Sequence, residues 1–138
     1  MSIGMPARCR RPSAVRCLAG LVCADAALHM LGFRRTLRLY AWLGRGRLDG
    51  GHHDAELTDA CATAVAAAAA FYPRRAICLE QSLVLYRMLR RRGQPARLRV
   101  GVRPMPFAAH AWVECAGAPV NERPDRLEQL IPFPNLGV

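Results

Sequence analysis

The chain has 138 residues, 52% of them hydrophobic, which favours one domain with a real core and excludes wholesale disorder. All 20 of its basic residues are arginine, set against 10 acidic ones, for a net charge of +10. Without lysine there is no phosphate-binding loop ending in Gly-Lys-Ser/Thr and no Schiff-base chemistry. The apolar stretch from Ala14 to Leu31 is interrupted by Arg16, Asp25 and His29. No clean apolar run follows Arg8, Arg10 and Arg11 either, so neither a spanning helix nor a signal peptide is expected, and a cytoplasmic protein is. Cys9, Cys17, Cys23, Cys61, Cys78 and Cys115 are accordingly expected as free thiols. No Cys-x-x-Cys pair is present, and Cys17, Cys23 and Cys61 sit among alanines and leucines as small buried hydrophobes.

In chain order, the first dozen residues are basic, contain Pro6 and Pro12, and read as disordered. Ser13 can cap a helix whose Leu18, Leu21, Val22, Leu28 and Leu31 recur at helical spacing. Gly32 interrupts it, and a second helical pattern runs through Leu37, Leu39, Tyr40, Trp42 and Leu43. Residues 44–54 form a loop and the best internal boundary; Gly44, Gly46, Gly50 and Gly51 do not fit a dinucleotide fingerprint. An alanine-rich helix follows from Glu56 to Phe71, with Asp54 near its cap, and Tyr72-Pro73 closes it.

A further helix spans Cys78 to Arg92, with Leu79, Leu83 and Tyr86 on one face, widened by Leu85, Met88 and Leu89, and Gly93 stops it. Ala96, Leu98, Val100 and Val102 then alternate with polar or small residues, the period of a half-buried strand, until Pro104 and Pro106 break it. A second strand is expected over Phe107–Glu114, a turn at Cys115–Gly117, and a third strand over Pro119–Glu122. The tail around Pro124, Pro132 and Pro134 is a short helix or an extended wrap. The expectation is an α+β chain: a helical region over 1–55, then a core over 56–138 in which one helix packs on a small antiparallel sheet.

Three residues carry chemistry. Cys78 starts a helix, where the dipole and free amides stabilise a thiolate, and Arg74 and Arg75 add positive field. His110 and Glu122 fall on successive strands, an imidazole to activate the thiol and a carboxylate to hold the imidazole. If Cys115-Ala116-Gly117 is a three-residue loop, Glu114 pairs with Ala118 and Trp112 with Val120, and His110 lies opposite Glu122. A two-residue turn would send the pair to opposite faces. The competing acids are Glu114, about 13 Å along the strand, and Asp125, past the strand end. Singly, a cysteine in a leucine-rich helix is more often core, and a histidine beside Trp112 more often structural. Together the three stand in the order a papain-like triad requires.

The segments Cys78-Leu79-Glu80-Gln81-Ser82-Leu83, Leu89–Gly93, Val100–Arg103, Phe107–Glu114 (FAAHAWVE) and Pro119–Glu122 resemble the leader peptidases of lasso-peptide biosynthesis. These form a transglutaminase-like branch of the papain-type cysteine peptidases, and the likeness covers roughly the C-terminal half. It implies Cys78 as nucleophile, His110 as general base and acid, and Glu122 as orienting acid at a position that is often aspartate. The Cys78 amide becomes an oxyanion donor; a second donor is unassigned, since Gln81 is not at the upstream position where such enzymes place a glutamine.

The resemblance further implies removal of the leader from a ribosomally made precursor. That step frees the core's amino terminus for a separate ATP-using cyclase. A stand-alone leader-recognition protein is implied as a partner, with no room for one before the helical half, and no cofactor, metal, nucleic acid or membrane span is expected. Acyl transfer to an amine shares the same thioester step and is the second enzymatic reading. An arginine-rich nucleic-acid-binding protein is the main rival, but the arginines are scattered and not interleaved with aromatics. A structural subunit with a vestigial triad is a third. His52, His53 and Asp54 lack further metal ligands and read as a solvated loop.

Overall fold

The computed structural model describes residues 11–45, 52–73 and 77–133. Helix α1 (Ala14–Leu31) opens on Ser13, whose hydroxyl accepts the Arg16 N–H, and ends at Gly32, which takes a positive φ of 76°. Helix α2 spans Phe33–Leu43 and α3 spans Ala55–Phe71, the latter capped by Asp54, whose carboxylate accepts the Leu57 N–H. Helix α4 (Cys78–Arg91) ends one residue earlier than the sequence pattern indicates, ahead of Gly93 at φ 74°. Strands β1 (Ala96–Pro104) and β2 (Phe107–Cys115) form a hairpin in unbroken register from Ala96 opposite Cys115 to Pro104 opposite Phe107. The two-residue β3 (Ala118–Pro119), the four-residue α5 (Pro124–Leu127) and β4 (Ile131–Pro132) complete a four-stranded antiparallel sheet in the order β3-β2-β1-β4. The architecture is α+β, and the tail is both a short helix and an extended wrap.

One core joins all the larger elements. Cys17, Leu21 and Ala24 form the buried stripe of α1, at helical spacing. They meet Cys61, Val65 and Ala68 of α3 and Leu83, Val84 and Leu85 of α4, while Leu98 and Val113 bring in the sheet. Helix α4 is central, with α1 and α3 packed on it as well as β1 and β2. That is why Ser82 through Tyr86 are all buried, where a surface helix would bury one stripe.

Several expectations change. The β2–β3 connection is a two-residue turn, because Ala116 (φ 52°) joins Gly117 (φ 82°) in the left-handed region, the pattern of a tight hairpin. Cys115 therefore pairs with Ala118 and Glu114 with Pro119, not Glu114 with Ala118 as the three-residue loop required. The third strand is correspondingly Ala118–Pro119, not Pro119–Glu122. Helix α1 is long and apolar enough to cross a membrane by length and composition, contrary to the reading of its polar interruptions. Its buried stripe faces α3 and α4. Cys23 is exposed, whereas Cys17 and Cys61 are buried as expected. The readings placed on residues 1–10, on Gly46, Gly50 and Gly51, on Arg74 and Arg75, and on Pro134 lie outside the described residues.

Candidate active site

Cys78 is the first residue of α4, after Ile77 in an extended conformation that has no side-chain cap. The thiol is half-buried and forms no disulfide. Glu80, at the third helical position, folds back into the first turn. Its carboxylate accepts the N–H groups of Glu80 and Ile77, the reciprocal half of a capping box. Its Oε2 is buried without a hydrogen-bond partner. Burial pushes the Glu80 carboxyl above its ordinary value; Asp25 adds to this, while those amides and His29 oppose it. Asp25 in turn holds His29 at 3.1 Å and accepts the Tyr72 hydroxyl at 3.2 Å.

A raised carboxyl means the native state holds the Glu80 proton more tightly than the unfolded chain does. The associated stability is complete below the ordinary value of 4.5 and is lost as pH rises through the raised one. Glu80→Gln keeps an oxygen for the Ile77 amide and cannot ionise. Urea unfolding at pH 4 and pH 8 should therefore show wild type losing stability relative to Glu80→Gln as pH rises. A difference independent of pH would remove Glu80 as the titrating group.

His110 pairs with Gly101 on the hairpin. Strand alternation puts Ala111, Val113 and Cys115 on one face, where Val113 joins the core, and His110, Trp112 and Glu114 on the other. There His110 Nε2 lies 2.5 Å from Glu122 Oε2, an ion-pair approach off the line of an aligned hydrogen bond. Glu122 Oε1 accepts the Arg123 N–H at 2.9 Å. The imidazole stacks on Trp112, with ring centroids 6.4 Å apart. Trp112 lies over Gly101, where a Cβ would come within 3.1 Å of the indole, and donates its N–H to Glu114. Glu114 also takes Arg99 at 3.1 Å, and Asp125 pairs with Arg123 at 3.3 Å, so both competing acids are engaged elsewhere.

Glu122 reaches His110 despite the shifted turn because the ladder stops at Pro119. Val120 N–H still donates to the Val113 carbonyl, but the next acceptor is a side chain: Asn121 Oδ1 takes the Val113 N–H at 2.8 Å. Asn121 Nδ2 donates to Ser82 Oγ, which itself donates to the Ala111 carbonyl, both at 3.0 Å. The chain thereby leaves the strand geometry with Glu122 free to approach the imidazole. Sequence reasoning misses Ser82 and Asn121, although they stand in the same segments as Cys78 and Glu122.

Cys78 lies one helical turn before Ser82, whose hydroxyl donates to the Ala111 carbonyl of β2. No hydrogen bond joins the thiol to the imidazole among the described residues. Elsewhere, burial pushes the Cys17 and Cys115 thiols up, with Arg92 and a Thr58 hydrogen bond opposing it respectively. His53 lies 3.5 Å from Cys115, so the loop before α3 is tied to the sheet rather than fully solvated.

The sequence profile of the transglutaminase-like superfamily matches residues 18–133. The microcin J25-processing protein McjB of Escherichia coli is 42% identical over 53 residues. That match spans 38% of this chain and 26% of the Escherichia coli protein, about a quarter of its length. No solved structure matches the chain.

Proposed function

This chain belongs to the transglutaminase-like superfamily, and we propose that within it the protein is a cysteine peptidase that removes the leader of a lasso-peptide precursor. The reading rests on the His110–Glu122 ion pair, taken together with a cysteine at the N-terminus of α4. The relative named for processing microcin J25 supports the choice of substrate. With Nε2 turned to Glu122, Nδ1 is the ring nitrogen left to take the Cys78 proton. The thiolate sulfur bonds to the scissile carbonyl carbon, and the oxyanion faces the Cys78 amide at the start of α4. His110 returns the proton to the departing amine as the peptide C–N bond breaks, leaving a thioester. Water, deprotonated by His110, then displaces the sulfur and releases the leader as a carboxylate. Catalytic contacts in unliganded sites are commonly long and tighten on substrate, so the reading requires Cys78 and His110 to come together when the precursor binds.

In this reading the helices of residues 1–55 are a scaffold behind α4, and residues 56–138 hold the chemistry. The partners are the precursor, a separate leader-recognition protein and the cyclase that uses the freed amine, all in the cytoplasm. The test is incubation with a lasso-peptide precursor and its leader-recognition protein, read by mass spectrometry. Two fragments summing to the precursor plus one water are expected, and alkylation of Cys78 should prevent them. An intact precursor, or a product carrying an added amine, would count against the hydrolase.

A further inference from the structure

A strand at a sheet edge presents unpaired backbone groups, and proteins blunt such edges with charge, proline or a covering segment. The two edges of this sheet are treated differently. Outside β1, Pro132 and Ile131 pair with Gly101 and Val102, and the Phe133 N–H donates to the Val100 carbonyl. Outside β2, β3 covers only Glu114 and Cys115, while Val120 and Asn121 satisfy Val113. From Ala111 back to Phe107, the Ser82 hydroxyl on the Ala111 carbonyl is the one partner this edge has among the described residues.

The ladder dictates which groups face outward. Val113 sends both its N–H and its carbonyl to the β3 side, and Val100, opposite Ala111, sends its carbonyl to the β4 side. The odd-numbered residues of β2 are therefore the ones directed away from β1. Phe107 and Ala109 offer an N–H and a carbonyl each along an open edge, while Ala108 and His110 bond to β1. The stretch carries no charge and no proline. Ala109 is exposed, and the apolar side chains of Phe107 (77% exposed) and Met105 (85% exposed) stand at its far end. Its near end is the candidate site, since Ala109 is adjacent to His110.

We infer that the Phe107–Ala109 edge is where the extended segment of the substrate peptide docks, adding to β2 as a further strand in line with β3 and passing Cys78. The inference rests on the peptidase reading. A second copy of the chain fits poorly, because two residues of free edge supply far less than the roughly 1,000 Å² a stable interface buries. A peptide needs only a few main-chain bonds to set its direction and register, with side-chain contacts supplying the rest.

Strand addition has a signature that side-chain recognition lacks: only alternate substrate amides face the edge. The experiment measures binding of synthetic peptides spanning the leader–core junction, each N-methylated at one position. The protein is the Cys78→Ala variant, in the presence of the leader-recognition protein. Affinity should fall about tenfold at every second position of a short stretch and hold between them. Ala109→Pro, introduced beside Cys78→Ala, removes an outward N–H without touching the β1 ladder and should weaken the unmodified peptide about tenfold. Ala109→Ser keeps that N–H and should bind within about twofold of the parent. Equal alkylation of Cys78 in wild type and in Ala109→Pro shows that the fold survives.

Loss at consecutive positions or at none, or full binding by Ala109→Pro, overturns the inference. So does a dimer in sedimentation that Ala109→Pro dissolves, which assigns the edge to a second copy. Alternating loss of binding alongside a wild type that leaves the precursor uncut supports the docking edge and strikes the peptidase reading instead.

Discussion

Cys78→Ala is expected to lower precursor cleavage at least 10⁴-fold, about the loss when a nucleophile of this kind is removed, while leaving the unfolding midpoint nearly unchanged. The two halves rest on different observations. Catalytically, no other described cysteine stands at a helix N-terminus: Cys17 and Cys23 lie inside α1, Cys61 inside α3, and Cys115 at the end of β2. Structurally, Cys78 is half-buried, belongs to no part of the core cluster and gives way to the best helix former. Cys78→Ser should be equally inactive, since a hydroxyl at that position is not ionised by a helix dipole. Alkylation offers an independent check. Cys17, Cys61 and Cys115 are shielded by burial, so the informative comparison is with exposed Cys23. Iodoacetamide should reach Cys78, at the helix N-terminus, before Cys23, inside α1. Equal rates would show that exposure alone governs both, and the activated nucleophile would be lost.

What is legible in the sequence is what local chemistry decides. Ser13 and Asp54 cap their helices, Gly32 and Gly93 end theirs, and the alternation of Ala96, Leu98, Val100 and Val102 marks a strand. Each depends on residues within a turn or two. The β2–β3 turn escapes such reading because its length depends on Ala116, a residue without a glycine's freedom, entering the left-handed region. The route by which Glu122 reaches His110 is also hidden, since it needs Asn121 to replace a backbone acceptor and Ser82, 39 residues away, to hold it. Cys23 reads as buried because α1 is apolar around much of its circumference, with Val15, Val22 and Met30 exposed, and composition does not name the buried face. Glu80 carries a charge in a leucine-rich helix, a signal that is visible in sequence. Its meaning depends on the three-residue reach back to Ile77 and on helix α1 behind it.

Glu122→Gln should lower kcat by about 10⁴, the cost of the equivalent acid-to-amide change in a serine protease, and leave KM and the fold nearly as they are. The fold survives because the substituted amide can still offer its oxygen to the Arg123 N–H, which Glu122 Oε1 accepts at 2.9 Å. Turnover falls because the other atom changes character. Glu122 Oε2, the ion-pair neighbour of His110 Nε2, favours the proton on that nitrogen and so the tautomer that leaves Nδ1 as a base. An amide nitrogen there donates instead, favours the opposite tautomer and gives Nδ1 the proton it is meant to take from Cys78. Glu122→Asp keeps the charge with a shorter arm and should recover part of the loss, which a merely structural role would not require. Glu114→Gln still accepts from the Trp112 indole and forfeits only a half-exposed pair with Arg99, an interaction of about 1 kcal/mol or less. Asp125→Asn breaks only a solvent-exposed pair with Arg123. Both should cleave within a few-fold of wild type. Wild-type turnover by Glu122→Gln would make the ion pair a structural contact, and a collapse in Glu114→Gln would move the orienting role through Trp112, the ring stacked on His110.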